Sequence, residues 1–271
     1  MLLLGSICLV HLSFGQSDST SDNKTRFKLG MNYSSTLQYY GRTDSLKSTG
    51  VFPMAELWFN KELYVNAAPV FVSNNGSKLA YAGTVTTMGW LHLTEKWITS
   101  IYIMKPFYRQ SSDLVQSALE AQGSASFTYQ NKFLNVTAGG DAKFSDKLDF
   151  GATAGLDHLV KKQVGQGVIV IDPSVYLYAG TQNFTNTYYK KKQGLLLLPG
   201  GTETGTKQVQ EFNILAYECS LPLIYARGNW LAMATPSYII PQNLVKVEGR
   251  PDLSERGQPL FYVNLGIKRT F

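Results

Sequence analysis

The chain has 271 residues, of which 44% are hydrophobic and 16% are charged, and its formal net charge is +6. Its cysteines are Cys8, which lies in an apolar N-terminal leader, and Cys219. With Cys219 alone in the remaining chain, an intramolecular disulfide is excluded, and a disulfide-stapled or cysteine-rich zinc domain is implausible. The basic residues form no long tract with interleaved aromatic residues, so the composition disfavours nucleic-acid binding.

The first ten residues are nearly all apolar, and the small residues Ser13 and Gly15 precede Gln16 with the spacing of a signal-peptide cleavage site. A polar run follows at once, which disfavours the alternative of a buried N-terminal strand or helix. We therefore predict a signal peptide at 1–15 and a short polar segment at 16–24. No later stretch reaches the roughly 18 consecutive apolar residues of a membrane-spanning helix.

Apolar and polar residues alternate along most of the remaining chain, which is the period of a β-strand. In the first predicted strand, one face carries Phe27, Leu29, Met31, Tyr33, Leu37 and Tyr39, and the residues between them are mostly polar. A sheet with one apolar face explains this pattern. We predict twelve strands, at 25–40, 49–59, 63–73, 78–94, 96–108, 123–130, 132–144, 147–160, 167–180, 208–226, 229–240 and 260–271.

The last predicted strand has the length of about 9–11 residues that a tilted strand needs to cross a bilayer. Its apolar face carries Phe261, Val263, Leu265, Ile267 and Phe271. An equivalent face on the strand at 208–226 would carry Leu215, Tyr217 and Cys219, so the thiol is expected to face lipid as a small hydrophobe.

The links between the predicted strands alternate in length. Short links at 60–62, 94–96, 130–132 and 227–229 alternate with links that include 109–122, 181–207 and 241–259; the links at 145–147 and 161–166 fit less well. Outer-membrane barrels pair short periplasmic turns with longer external loops. We predict that residues 25–271 form one closed, antiparallel, all-β transmembrane barrel of about twelve strands, with both ends of the chain in the periplasm.

The chain resembles the outer-membrane β-barrel proteins of Gram-negative bacteria, in character those of the Bacteroidota. The likeness rests on the N-terminal leader and on residues 171–184, 220–225, 235–242 and 261–271. It implies a location in the cell outer membrane, contact with outer-membrane lipid, and assembly by the barrel-assembly machinery. In that family the final strand is the assembly signal, which assigns this role to Val263, Leu265, Ile267 and Phe271. Arg269 departs from the pattern, and a lipid-facing arginine is tolerable near the periplasmic rim.

The alternation also predicts charged side chains inside the barrel. A buried charge must be paired or hydrated, so these residues either line a narrow aqueous path or form ion pairs that hold a closed barrel. The predicted lumen residues are Lys28, Glu56, Asp141, Lys143, Asp149, Asp157 and Glu218.

The histidines give no pattern typical of catalysis. His92 is expected to point inward without an acidic or nucleophilic partner, and His158 is expected at the membrane interface. We predict no enzyme, no catalytic residue, no metal and no cofactor. A short helix is expected within 111–122, and the loop at 181–207 is the candidate surface for a ligand or partner.

The expected function is a passive channel or small-solute transport protein with a mixed-charge lumen, and the sequence names no solute. Two alternatives stay open: a structural or surface-binding barrel with a filled lumen, and a barrel enzyme that acts on lipid or peptide. A soluble, lipocalin-like barrel is the remaining competitor, and it would carry its apolar residues inside.

Overall fold

A computed structural model of the protein describes residues 24–43, 48–109, 119–145, 148–191, 202–244 and 255–271. The predicted signal peptide, nearly all of the polar segment at 16–24 and most of the helix expected at 111–122 lie outside the described residues. Where it is described, the end of the latter region is not helical: Ala121 begins a strand.

The described residues form β-strands and no helix. The strands are β1 Arg26–Ser34, β2 Gln38–Tyr39, β3 Arg42–Thr43, β4 Thr49–Trp58, β5 Leu63–Asn74, β6 Ser77–Leu93, β7 Trp97–Tyr108, β8 Ala121–Tyr129, β9 Asn135–Phe144, β10 Leu148–Asp157, β11 Val160–Val164, β12 Gly167–Ile171, β13 Ser174–Lys191, β14 Thr202–Ser220, β15 Leu223–Arg227, β16 Trp230–Pro241 and β17 Leu260–Thr270. A helix long and apolar enough to cross a membrane is not found in the described ranges.

Twelve strands of the described chain pair antiparallel in a closed ring, in the order β1, β4, β5, β6, β7, β8, β9, β10, β13, β14, β16 and β17. The ring closes because β17 pairs with β16 on one side and with β1 on the other. Closure leaves no free sheet edge along the ring. The predicted twelve-stranded antiparallel barrel is confirmed.

Three further strands extend the barrel at one end. We call the end where β1 begins and β17 finishes the terminal end, and the opposite end the distal end. At the terminal end β11 continues β10, β12 leads into β13, and β15 continues β14, with breaks at residues 158–159, 172–173 and 221–222. Pro173 and Pro222 stand at two of these breaks, since proline has no N–H for the ladder. The predicted link at 161–166 is therefore mostly strand β11, followed by a two-residue turn at Gly165, whose φ is +57°.

The outer wall of the barrel is apolar. In β1 the exposed apolar residues are Phe27, Leu29, Met31 and Tyr33, and in β17 the exposed apolar residues include Phe261, Leu265 and Ile267. Cys219 is also exposed, on the face expected for it. A soluble barrel would enclose such residues, so this exposed apolar belt contradicts the lipocalin-like alternative.

Part of the inner wall is apolar as well, which differs from the expected polar interior. Strands β4 to β7 carry apolar residues on both faces, so the sequence pattern does not show which face points into the barrel. Three clusters of buried apolar residues occur in the described part of the chain. Cluster one contains Leu37, Phe52, Val70, Val72, Ala82, Val85, Met104 and Leu119; cluster two contains Tyr176, Tyr178, Ala216, Ile239 and Tyr262; cluster three contains Trp58, Tyr64 and Leu91.

Strands β13 and β14 are longer than predicted and occupy most of the expected loop at 181–207. Their pairing runs without interruption from Thr181↔Phe212 to Lys191↔Thr202. The segment is rich in threonine and tyrosine, which favour strands. The two strands therefore form a ribbon that extends beyond the pairing of β10 with β13, which stops at Gly180. Residues 192–201 of the predicted ligand surface lie outside the described residues.

Candidate functional site in the barrel lumen

The chain folds into the barrel after β1. The prediction of a strand to residue 40, with Leu37 and Tyr39 facing lipid, is wrong there. The Ser34 hydroxyl donates to the Thr36 carbonyl at 3.0 Å, and the Leu37 N–H donates to the Ser48 carbonyl at 2.7 Å. Leu37 is buried in cluster one beside Phe52. These contacts turn the distal end of β1 inward, where alternation no longer applies.

Strands β2 and β3 form a tight hairpin that we call the lumen hairpin, residues 38–43. Gln38 pairs with Thr43, and Tyr39 pairs with Arg42. Tyr40 has φ 50° and Gly41 has φ 76°, the positive pair that a type I′ turn requires. The Gly41 N–H donates to the Gln38 side-chain carbonyl at 2.8 Å. The Gln38 side chain thus stabilises the turn in addition to the pairing of β2 with β3.

Arg42 anchors the lumen hairpin to the wall. Its Nε lies 2.9 Å from Glu255 Oε2, and its terminal nitrogens donate to the carbonyls of Tyr40, Leu215 and Gln242, each at 3.2 Å. The Arg42 side chain is 11% exposed. Charge-assisted bonds in a partly desolvated place are strong, so this one guanidinium joins the hairpin to β14 and to both ends of the segment between β16 and β17.

A β-bulge makes the Leu215 carbonyl available. Ala179 pairs with Ile214 and Tyr178 pairs with Ala216, so Leu215 is the extra residue on β14. It is 3% exposed, and both it and Ala216 are buried on the inner side. The expectation that Leu215 faces lipid is therefore wrong, because the bulge reverses the alternation at this point. Tyr217 and Cys219, beyond the bulge, keep the expected outer face.

The tip of the hairpin reaches the opposite wall. Strand β9 is the sixth neighbour of β1 in either direction around the ring, and Lys143 of β9 has its Nζ 5.8 Å from the Tyr40 ring centre. The Tyr40 and Tyr178 ring centres are 5.1 Å apart. Burial raises the pKa of Tyr40, so its ring is neutral at pH 7 and interacts with Lys143 as a π-system and hydroxyl. Lys143 also forms an ion pair with Asp141.

A second charged group lies near the terminal end. Lys268 Nζ is 2.6 Å from Glu56 Oε1, and the Trp58 Nε1 donates to Glu56 Oε2 at 3.1 Å. Lys28 Nζ lies 4.3 Å from the centre of the Trp58 ring. Glu56 is only 1% exposed, so its charge depends on these partners. Lys268 was not among the predicted lumen residues, although it lies on the polar face of the last strand.

The other predicted lumen residues also have local partners on the inner wall. Asp157 accepts from Asn135 Nδ2 at 2.7 Å, Glu218 accepts from the Tyr262 hydroxyl at 2.8 Å, and Asp149 accepts from the Thr181 hydroxyl at 2.8 Å. The structure thus places the predicted residues in separate small clusters of hydrogen-bonded or ion-paired groups. The sequence analysis missed tyrosine partners such as Tyr262 because tyrosine is uncharged and a pattern of charged residues does not include it.

Between these clusters, the inner faces of β8, β9 and β10 carry small polar residues. The inner positions of β10 are Asp149, Gly151, Thr153, Gly155 and Asp157. Ser124, Ser126 and Thr128 lie on the inner face of β8, on the other side of β9 from β10, and are half-buried, as is Asn32 on the β1–β17 side of the ring. A wall of small, partly accessible polar groups therefore lies on the terminal side of the lumen hairpin, and Asn32 lies across the ring from it.

His92 does not face the lumen. Leu91 is buried in cluster three, and its neighbours Trp90 and His92 point outward. His92 Nδ1 lies 2.9 Å from Glu62 Oε1, and the Trp90 Nε1 donates to Glu62 Oε2 at 3.0 Å. The predicted inward direction of His92 and the prediction that it has no acidic partner are both wrong, because its partner Glu62 lies in the β4–β5 turn, one strand away in the sheet. A group of three or more residues arranged to hold a metal ion does not occur in the described ranges.

Comparisons with known proteins add structural similarity only. No family model matches the chain, and no curated protein matches it. Three solved structures each match 92% of this chain. The β-domain of the Bordetella autotransporter BrkA has 7% identity, TM-score 0.40 and 100% of its own chain covered. CdiB from Acinetobacter baumannii has 9% identity, TM-score 0.31 and 60% covered. The anion-selective porin from Comamonas acidovorans has 7% identity, TM-score 0.26 and 99% covered.

The strand pairing of this chain, and not these weak matches, establishes the barrel.

Proposed function

We propose that the protein is an outer-membrane β-barrel that acts as a passive channel for small polar solutes, narrowed by the lumen hairpin. The exposed apolar belt supports the membrane location, because an apolar outer face with a partly polar interior suits a lipid solvent. The tight turns lie at the terminal end, which supports placing that end in the periplasm and the lumen hairpin toward the cell exterior.

The observation that carries the channel proposal is the position of the lumen hairpin relative to the small polar residues. The hairpin crosses from β1 to Lys143 on the opposite wall. On its terminal side, Ser124, Ser126 and Thr153 are half-buried, in contrast to the buried clusters. Partial exposure of small hydroxyl groups inside a barrel favours a wet path, and a fixed hairpin across it favours a narrow one. The proposal assigns no catalytic role to any residue.

A filled, structural barrel is the second candidate, and a specific observation favours it. Met104 and Val70 are almost completely buried on the inner wall, and Glu56, Lys143 and Glu218 have partners there. Barrels of this size lie between those filled by side chains and those with open channels. Transport measurements therefore have to decide between the two candidates.

Swelling of proteoliposomes in neutral sugars of increasing size tests the proposal. We expect the protein to admit small sugars and to exclude larger ones, and we expect replacement of residues 38–43 by a glycine–serine linker to raise the size limit. The matched control is the same replacement in the exposed distal turn at 74–76. Folding of each variant is checked by comparing its gel migration before and after boiling. If the unaltered protein and the hairpin variant are both correctly folded and neither admits the smallest sugar, the lumen is filled and the channel proposal is wrong.

A further inference from the structure

The turns at the terminal end of the barrel carry exposed basic residues. Lys61 lies in the β4–β5 turn, Lys96 in the β6–β7 turn, Lys132 in the β8–β9 turn, and Arg227 begins the β15–β16 turn. In the described part of these turns the carboxylates are Glu62 and Glu95, and Glu62 already accepts bonds from Trp90 and His92. The terminal end is therefore bordered by basic groups.

Aromatic side chains surround the barrel at the same end. Trp97 and Tyr129 have ring centres 5.0 Å apart on the outer wall, and Phe27 and Phe271 have ring centres 6.2 Å apart. Trp230 is also exposed there. Aromatic residues of this kind concentrate at the level of lipid headgroups. The basic and aromatic groups thus lie together where a membrane interface would be.

Arg269 is the best-defined basic group of this region. It is exposed on the outer face of β17, with its guanidinium carbon 5.3 Å from the Trp230 ring centre and 4.8 Å from that of Phe271. In register, Arg227 pairs with Trp230, and Trp230 pairs with Arg269. Neighbouring strands are about 4.8 Å apart, so two arginines flank one tryptophan on three adjacent strands. The Arg227 side chain donates to the neutral Gln166 carbonyl at 3.1 Å.

We infer that this rim binds the phosphate groups of anionic phospholipids, with Arg227 and Arg269 as the main contacts and Trp230 between them. The inference rests on the proposed membrane location but not on channel activity. A guanidinium presents paired N–H donors that match a phosphate. The Trp230 and Phe271 rings hold Arg269 against the outer wall. There a lipid phosphate would be the counterion of the guanidinium, and the lysines of the neighbouring turns attract an anionic membrane surface.

Retention of lipid by the folded protein tests the inference. The protein is reconstituted in vesicles of phosphatidylcholine with one-fifth phosphatidylglycerol, extracted in mild detergent and analysed for bound lipid by native mass spectrometry. We expect phosphatidylglycerol to be enriched over its share of the vesicle. The preference should fall about fivefold for each arginine removed in Arg227→Gln and Arg269→Gln. Lys78→Gln removes an exposed charge at the distal end and should leave the preference unchanged.

The inference is overturned if the double variant, shown to be folded by its gel migration, keeps the preference of the unaltered protein, or if Lys78→Gln reduces the preference equally. These results leave the channel proposal untouched. Failure of the unaltered protein to insert into vesicles would instead refute the proposed membrane location, and the inference with it.

Discussion

Arg42 donates from Nη1 to the Leu215 carbonyl at 3.2 Å, and Leu215 is the extra residue of a β-bulge in β14. The same Leu215 carbonyl accepts from the Gln242 N–H at 2.8 Å. An irregularity in the wall therefore presents a backbone acceptor to a guanidinium on the lumen hairpin. This contact connects the fold to the proposed constriction.

Removal of the Arg42 side chain should release the lumen hairpin. Arg42→Ala removes an ion pair to Glu255 and three bonds to carbonyls, which we expect to destabilise the docked hairpin by about 3 kcal/mol, or about a hundredfold in the opening equilibrium. Hydrogen exchange of residues 37–43 measures this change. Arg256→Ala, an exposed neighbour on the same segment, serves as the control. Unchanged exchange in Arg42→Ala would show that Arg42 is not the anchor.

Gly41 combines a positive φ with a close contact, and substitution should disturb both. A Cβ at Gly41 would lie 2.8 Å from Pro241 Cδ, whereas Gly228, with φ +55°, has nothing within 4 Å of a Cβ. Gly41→Ala should therefore increase the hydrogen-exchange rates of residues 37–43 strongly. Gly228→Ala should increase the rates in its own turn less, because only the backbone strain of about 1 kcal/mol is expected there. Equal local effects would mean that packing against Pro241 is unimportant.

The Lys268–Glu56 pair should stabilise the barrel because Glu56 is 1% exposed. Lys268→Met leaves a buried carboxylate without its nearest cation, and we expect a loss of about 3 kcal/mol in the free energy of unfolding. Lys28→Met removes the neighbouring ammonium group but leaves the bond between Lys268 and Glu56, so its effect should be smaller. Urea unfolding followed by tryptophan fluorescence compares the two. The assignment fails if Lys28→Met is the more destabilising.

The inner wall at β9 and β10 should favour cations. Asp141, Asp149 and Asp157 lie there with Lys143 as the opposing charge in the described part of these strands. The reversal potential in a salt gradient should therefore show cation preference, and Asp149→Asn should reduce the permeability ratio by about twofold. Glu95→Gln removes an exposed carboxylate in the β6–β7 turn at the terminal end and should leave the permeability ratio unchanged. Anion preference in the unaltered protein would contradict this charge assignment.

Glu62 should make the terminal rim sensitive to acid. Hydrogen bonds from His92 and then Trp90 lower the pKa of Glu62. An acid with a lowered pKa stabilises the folded protein above its ordinary pKa, and the stabilisation is lost as the pH falls through the lowered value. The urea midpoint should therefore drop more between pH 7 and pH 3 in the unaltered protein than in Glu62→Gln. An equal drop in the two proteins would show that Glu62 does not cause the acid sensitivity.

The regular parts of the barrel were predictable from local pattern. The outer face of β1, the tight terminal turns and the closing strand all follow from alternation and turn residues, because one-sided burial fixes side-chain direction. The interior could not be read in this way where both faces are apolar, as at Phe52 and Val70 of β4 and β5.

The lumen hairpin and the bulge depend on contacts between distant parts of the chain. Tyr40 and Gly41 adopt their turn within the hairpin, but its inward direction is fixed by Arg42 with Leu215 and Glu255, which lie 173 and 213 residues away. The direction of His92 was misread for a related reason, since Leu91 is apolar and yet faces inward. A period-two pattern carries no information about such contacts.

Single-channel conductance in planar bilayers tests the central claim most directly. The unaltered protein should show a small, steady conductance, and the variant with a glycine–serine linker in place of residues 38–43 should show a severalfold larger one. Equal conductances in the two proteins would contradict a constriction at the lumen hairpin, and no conductance in either would contradict a channel.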